Sequence, residues 1–245
     1  MRRIELARQF AVFSDVHGNL PALEAVLGDV QTRGVAGPLC LGDLVGYGPW
    51  PNEVAEVIRE RGIPCLMGNY DQGIGFATGD CGCVYRTAAQ RAEGAASLEW
   101  TTRAVNDETR AFLRSLEDRF LLVTPAGELL AVHGSPRRIN EYLFEDRPAS
   151  AMERMARAYT HPAILFGHTH LPYARRVAET IFVNVGSAGR PKDGDWRACY
   201  AVIDPQAYGT DGFARFVRVP YDYARLQAGL KTTSLITSFA GPGDE

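Results

Sequence analysis

Over the first seventy residues, short apolar runs that end in polar loops alternate with stretches whose apolar positions recur every three to four residues. Gln9 to Ser14 reads as a strand. Asn19 then caps a helix, Pro21 falls in its first turn, where a missing N–H costs little, and Leu20, Leu23, Val26, Leu27 and Val30 mark one face until Gly34. Leu39 to Leu41 reads as a second strand. Pro51 opens a second helix with Val54, Val57 and Ile58 on one side and Gly62 beyond it, and Ile63 to Met67 reads as a third strand. This is the βαβ rhythm of a parallel sheet with helices packed against it.

From Asp71 to Ser115 the rhythm changes. Gly73, Gly75, Gly79 and Gly82 suggest a flexible opening, followed by two or three helical stretches, one carrying Trp100 and another spanning Thr109 to Leu116. Residues 72–115 are therefore expected to be a helical insertion or cap lying over the sheet edge. Strands dominate the second half: Phe120–Val123 and Leu129–Val132 as a pair, then Ile164–Phe166, Tyr173–Val177, Thr180–Asn184, Cys199–Ile203 and Phe213–Val219. Helices are expected at Ala149–Ala158 and Tyr221–Leu230, and a frayed end at Gly241–Glu245. With no repeat and no long linker, 1–245 reads as a single domain with two sheets flanked by helices.

Composition narrows the class. The chain has 245 residues, 46% of them hydrophobic and 22% charged, which suits a globular domain with a sizeable core. The net charge of −3 gives no sign of nucleic-acid duplex binding. No apolar run approaches membrane-spanning length, and the basic start Met1-Arg2-Arg3 leads into a run too short for a signal peptide, so the cytoplasm is the expected compartment. The five cysteines are odd in number and irregular in spacing, which argues against a disulfide framework. Cys81-Gly82-Cys83 is a lone pair without a second pair nearby, and reads as a reduced, structural pair in preference to a metal site.

The chemistry gathers in five short blocks: Asp15-Val16-His17-Gly18-Asn19, Gly42-Asp43, Gly68-Asn69-Tyr70-Asp71, Val132-His133-Gly134 and Gly167-His168-Thr169-His170. Each follows an expected strand, and the carboxyl ends of strands are where open α/β folds bind ligands. Of five histidines, His17, His133, His168 and His170 fall in these blocks, while His161, before Pro162, reads as a surface or helix-end residue. Imidazole, carboxylate and amide oxygen together suit first-row divalent cations such as Mn²⁺, Fe²⁺ or Zn²⁺ without fixing which; Mn²⁺ is the expected metal, with Fe, Zn or Ni as alternatives, and the lack of thiolates in the set disfavours a closed structural zinc site. With Asp15 and Asp43 as the only anions, two divalent ions leave a net charge near +2. Such a site attracts phosphate, and ions roughly 3.5–4 Å apart acidify a shared water for in-line attack.

In order and spacing these blocks resemble the calcineurin-like metallophosphoesterase family, from Asp15 to about Ser187. The resemblance implies a four-layer α/β sandwich, two mixed β-sheets flanked by α-helices. It implies that Asp15, His17 and His170 hold a first metal, that Asn69, His133 and His168 hold a second, and that Asp43 bridges them. Asn184-Val185-Gly186-Ser187, with Gly189 and Pro191 behind it, resembles the smaller bacterial phosphodiesterase-like branch. The expected activity is hydrolysis of a phosphodiester or phosphomonoester, with a small phosphate ester or nucleotide as substrate. Where many members have histidine after Gly-Asn, this chain has Tyr70, a poorer proton donor at neutral pH. Tyr70 either acts with Asp43 and Asn69 in catalysis or simply packs. Asp71 has an orienting role open to it, or is a plain loop carboxylate. Arg190 is a candidate phosphate contact, though a solvated surface arginine is the commoner role. The competing reading is a protein-binding scaffold that keeps the fold without catalysis, against which every ligand position is filled. A β-lactamase-like hydrolase would need a His-x-His-x-Asp-His cluster, which the chain lacks.

Overall fold

The computed structural model of the chain describes residues 1–235 and 237–243. Ten strands run in chain order: β1 Arg2–Glu5, β2 Phe10–Phe13, β3 Ala36–Cys40, β4 Arg119–Thr124, β5 Gly127–Val132, β6 Ala163–Phe166, β7 Tyr173–Val177, β8 Thr180–Asn184, β9 Ala198–Ile203 and β10 Ala214–Val219. Seven α-helices accompany them: α1 Leu20–Arg33, α2 Pro51–Glu60, α3 Asn69–Gly75, α4 Ala88–Ala104, α5 Asp107–Ser115, α6 Ala149–Ala158 and α7 Tyr223–Lys231. No helix among the described residues is long and apolar enough to cross a membrane.

One sheet has the order β1-β4-β5-β6-β8-β7 and the other β10-β9-β2-β3. Both are mixed: β2 pairs parallel with β3 and antiparallel with β9, while β5, β6 and β8 run parallel beside the β4–β5 hairpin. The two-residue period of a strand explains the layering. In β2, Phe10 and Val12 face the other sheet, where they join Phe120 and Leu122 of β4 and Leu165 of β6. Ala11 and Phe13 face the opposite way and pack with Leu23, Val26 and Leu27 of α1 and Val54 of α2. On the far side of the first sheet, Leu130 of β5, Ile164 and Phe166 of β6 and Phe182 of β8 pack against Met152 and Met155 of α6. Helix, sheet, sheet and helix form the four layers expected.

Three differences from the sequence expectation have physical causes. Ile63–Met67 is no strand. It makes isolated bridges only, Cys40 to Cys65 and Leu66 to Glu117, and Pro64, which has no N–H to donate, offers only its carbonyl to Cys40. Gly73 and Gly75 lie within α3 rather than in a flexible opening. Strand β1 went unread because Arg2-Arg3-Ile4-Glu5 carries one apolar residue; it is an exposed edge strand held parallel to β4 by its backbone. The last two residues of the expected frayed end, 244–245, lie outside the described residues.

Phe120 is 1% exposed in the inter-sheet core. Phe120→Ala is expected to cost about 3–5 kcal/mol in urea unfolding; a loss below about 1 kcal/mol would place this ring outside the packing that joins the sheets.

Candidate metal centre

Asp15 and His17 follow β2, Asp43 follows β3, Asn69 opens α3, His133 follows β5, and His168 and His170 follow β6. The structure brings all seven together. Each is at most 4% exposed. They form the floor of a cavity of about 490 Å³, into which His17, Asp43, Asn69, His168 and His170 face directly.

Two groups of donors result. Asp15, His17 and His170 make one, and Asp43, His133 and His168 the other, with the donor atoms of each group within 4.8 Å of one another. In the first, the Nε2 atoms of His17 and His170 are 3.2 Å apart, and His170 Nε2 is 3.4 Å from Asp15 Oδ1. In the second, His133 Nε2 is 3.0 Å from Asn69 Oδ1 and 3.5 Å from Asp43 Oδ2. Asp43 Oδ2 also lies 3.6 Å from His17 Nε2, so this one oxygen faces both groups.

The tautomers follow from the hydrogen bonds. His17 Nδ1 donates to the Val45 carbonyl at 3.0 Å, His133 Nδ1 to Leu41 at 2.8 Å, and His170 Nδ1 to Arg190 at 2.6 Å. With the proton on Nδ1, each Nε2 lone pair points inward, the arrangement of a metal-ligating histidine. Burial lowers the pKa of His17 to about 3 and that of His168 to about 3, so both imidazoles are neutral. Burial works against ionisation of Asp15 as well, but His170, His133 and His17 outweigh it and hold the carboxylate well below its usual range. Burial opposes a proton on His133 too, but Asp43 prevails and raises its pKa to about 10. Two inward acceptors, Asn69 Oδ1 and His133 Nε2, therefore share either a proton or a cation. Asp15 Oδ1 and His168 Nε2 are buried without any hydrogen-bond partner. Orphaned acceptors at the centre of an imidazole and carboxylate cluster fit divalent cations.

A profile of the calcineurin-like phosphoesterase superfamily domain matches residues 9–207. The chain belongs to the calcineurin-like phosphoesterase superfamily. A metallophosphoesterase of Sphaerobacter thermophilus is 32% identical, covers 94% of this chain and 95% of its own, and superposes with a TM-score of 0.74. Protein MJ0912 of Methanocaldococcus jannaschii is 32% identical over 86% of this chain and 87% of its own length. The phosphodiesterase YfcE of Escherichia coli K12 is 25% identical over 78% and 84%. As a calcineurin-like phosphoesterase the chain is a phosphoric ester hydrolase, and membership implies the divalent metals that the two donor groups fit.

The other residues singled out in the sequence have definite places. The Tyr70 hydroxyl is buried at the cavity without a hydrogen-bond partner. Its ring lies edge-on to His17 at 5.3 Å. Burial, then Tyr47, holds its pKa well above the usual phenol value, so it keeps its proton. Arg190 reaches the cavity wall, but its guanidinium is engaged by Glu93 at 2.6 Å and by the Ser238 carbonyl at 3.1 Å, and lies 4.0 Å over the Tyr47 ring. Asn19 caps α1 through Ala22 and binds the Gly189 carbonyl. His161 lies apart, bonded to the Glu128 carbonyl. Asn184 and Ser187 brace the centre from behind: Asn184 donates to Gly167 O and Thr169 Oγ1, and Ser187 Oγ donates to Asp15 O.

Sequence reading missed several cavity residues. Lys192 lines the cavity and forms no ion pair among the described residues. Tyr142 packs on His168 with ring centroids 4.1 Å apart and stacks on Phe144 at 5.6 Å, and Arg86 lies 5.8 Å over Phe144. These residues sit in irregular segments with no periodicity to announce them.

Asp71 ties the centre together. Its Oδ1 accepts the N–H groups of Leu44 at 2.9 Å and Val45 at 3.3 Å, and its Oδ2 accepts that of Gly68 at 2.9 Å. Those bonds join the loop carrying Asp43 to the turn carrying Asn69. Asp71→Ala leaves three buried N–H groups unpaired. Leaving one buried N–H group unpaired costs about 1–3 kcal/mol. The variant is expected to lose at least that in chemical unfolding and about 10- to 100-fold in Mn²⁺ affinity by isothermal titration; unchanged affinity would show that the two loops hold their ligands independently.

Proposed function

We propose that this chain hydrolyses a small phosphodiester or phosphomonoester, a nucleotide among the candidates, at two divalent cations, with Mn²⁺ the first choice and Fe, Zn or Ni as alternatives. Asp15, His17 and His170 hold one cation, Asn69, His133 and His168 the other, and Asp43 bridges them. The observation that carries this reading is the position of Asp43 Oδ2, which faces His17 at 3.6 Å and His133 at 3.5 Å and so belongs to both donor groups. When bound, such ions acidify water and neutralise charge that builds on phosphate.

The protein's own groups do the rest. Burial of the ligands keeps bulk water from screening the centre, which strengthens its field at the cavity floor. The Tyr70 side chain lines the cavity and keeps its proton, which places it to donate a hydrogen bond to a phosphoryl oxygen. Arg190 acts there through others: its carbonyl orients His170 and its guanidinium orders the wall, while Lys192, which forms no ion pair among the described residues, is placed to meet the ester's charge. A phenol is a weak acid, which favours diesters and activated esters whose leaving groups need little protonation. The relationship to phosphodiesterase YfcE supports the same preference. Residues 72–115 act as the substrate-selecting cap, since Cys83, Val84, Tyr85, Arg86, Gln90 and Glu93 all line the cavity. Five free thiols fit the reducing cytoplasm as the compartment.

Purified protein with Mn²⁺ is expected to turn over bis-(p-nitrophenyl) phosphate or another member of a panel of nitrophenyl esters and nucleotides. No turnover with metal shown bound would refute the reading, and a centre that takes up no Mn²⁺ would favour the scaffold. Asp43→Asn and His133→Ala are each expected to lower kcat by about 10²–10³-fold or more and to lose bound metal; full activity in either would refute the ligand assignment. Tyr70→Phe is expected to lower kcat by about 2- to 10-fold, the worth of one hydrogen bond. Tyr70→His should raise turnover of esters with poor leaving groups by about tenfold or more and leave nitrophenyl esters little changed. Equal effects on both kinds of ester would remove Tyr70 from the chemistry.

A further inference from the structure

The turn Cys81-Gly82-Cys83 is held in an arrangement that the hydrolytic chemistry does not use. Both thiols are free, and their sulfur atoms lie 3.7 Å apart. Cys83 forms part of the cavity wall, whereas Cys81 is 7% exposed behind it. The turn is pinned from two sides: Gly82 N–H donates to Asp80 Oδ1 at 2.9 Å, and Gly82 O accepts from Asn140 Nδ2 at 3.1 Å. Gly82 has a φ of +64°, and a methyl group there would overlap Asn140 Nδ2, so the position takes only glycine.

This turn holds a metal-centre residue. The Asn69 amide nitrogen donates to Cys81 O at 2.9 Å and to Cys83 Sγ at 3.3 Å. With both amide hydrogens spent on the turn, Asn69 Oδ1 is aimed at His133 Nε2, 3.0 Å away. One of the two contacts that orient Asn69 is therefore a thiol sulfur that solutes in the cavity can reach.

We propose that Cys81 and Cys83 are a redox-modification site, a dithiol that a hydroperoxide converts into a disulfide, and that its state sets how firmly Asn69 is held in the second ligand group. The second half of this inference rests on Asn69 being a ligand, as proposed above. In the first step the Cys83 sulfur attacks the peroxide. The O–O bond breaks, an S–O bond forms, and an alcohol or water leaves with the second oxygen, giving a Cys83 sulfenic acid. In the second step the Cys81 sulfur attacks Cys83, the S–S bond forms, the S–O bond breaks and water leaves with the thiol proton. Two electrons pass from the sulfur pair to the peroxide. Bonded sulfurs are about 2.05 Å apart, so the pair must close by roughly 1.6 Å on a backbone pinned at Gly82. Moving Cys83 Sγ takes an acceptor from Asn69 and frees its amide to turn away from His133.

Cys40 and Cys65 are also neighbours, across an isolated bridge between buried segments, but neither lines the cavity. They provide the internal comparison. The test treats Mn²⁺-loaded protein with one equivalent of hydrogen peroxide, quenches it and maps its thiols by tandem mass spectrometry. Tryptic peptide 62–86 holds Cys65, Cys81 and Cys83, so fragmentation must separate the first from the pair. The expected product is 2 Da lighter, joins Cys81 to Cys83, holds less Mn²⁺ per chain, and loses at least tenfold of its activity. Dithiothreitol should restore mass, metal and rate, and Cys83→Ser protein, which lacks the sulfur that meets the peroxide, should keep its own untreated metal content and rate after treatment. A Cys40–Cys65 disulfide, or unmodified thiols at 81 and 83, would overturn the site. A Cys81–Cys83 disulfide with unchanged metal content, or equal peroxide-induced metal loss in Cys83→Ser protein, would overturn its link to Asn69. Thiol mapping and metal content stand apart from turnover, so a reduced protein inactive on every ester would refute the phosphoesterase reading and leave these outcomes decisive.

Discussion

His17, His133 and His170 each give their Nδ1 proton to a main-chain carbonyl, and in every case that carbonyl belongs to a different element from the histidine. His17 follows β2 and bonds to the loop after β3. His133 follows β5 in one sheet and bonds at the end of β3 in the other. His170 follows β6 and bonds to the segment beyond β8. The carboxylates are held in the same crosswise way: Asp15 Oδ2 accepts the His168 N–H, and Asp43 Oδ1 accepts the Tyr70 N–H. The centre thus exists only when the two sheets are in register. The packed layer between them, from Phe10 to Phe213, is what holds the donors where they meet.

That crosswise bonding also explains how the backbone tolerates its shape. Asp15, His17, Asp43, His168 and His170 all have φ between +50° and +66°. Side-chain-bearing residues rarely adopt this left-handed region, which costs of order 1–3 kcal/mol each when held there. These turns lie just past β2, β3 and β6 and aim Asp15 and His17, Asp43, and His168 and His170 toward the centre. Buried hydrogen bonds at every turn offset the strain, and cations that need all the donors together add to that offset.

How much of this could be read from the sequence depended on period. Helix α1 was legible from Asn19 and Pro21 at its start and Gly34 at its end, and β7 and β8 were legible to the residue, β8 as a short continuous apolar run set off by Ala178-Glu179. The candidate donors were legible as types, since four of five histidines stand in glycine-containing blocks at strand ends. Their division into two groups was legible only through the family resemblance, because the residues alone do not announce the left-handed turns at Asp15, His17, Asp43, His168 and His170. Strand β1 was hidden because an exposed edge strand needs only its backbone. Ile63–Met67 was misread because its apolar composition says nothing about the missing N–H of Pro64. Lys192, Tyr142 and the purpose of the Cys81–Cys83 turn were invisible for a related reason: side chains from irregular segments converge only through the fold.

Tyr70 shows how one residue's space can shape the chemistry. Its ring fills the room above Gly46, where a methyl group would overlap it, and it packs 5.0 Å from the Tyr47 ring. An imidazole has a smaller ring and two nitrogens that need partners; this niche is built for a larger, flatter and mostly apolar group. Burial raises the phenol's pKa further, so its neighbours leave it less acidic than in water. The pocket around Tyr70 is therefore matched to a group that donates a hydrogen bond and retains its proton. On the proposed reading, departure of the leaving group relies on its own stability as an anion or on the field of the centre beneath it.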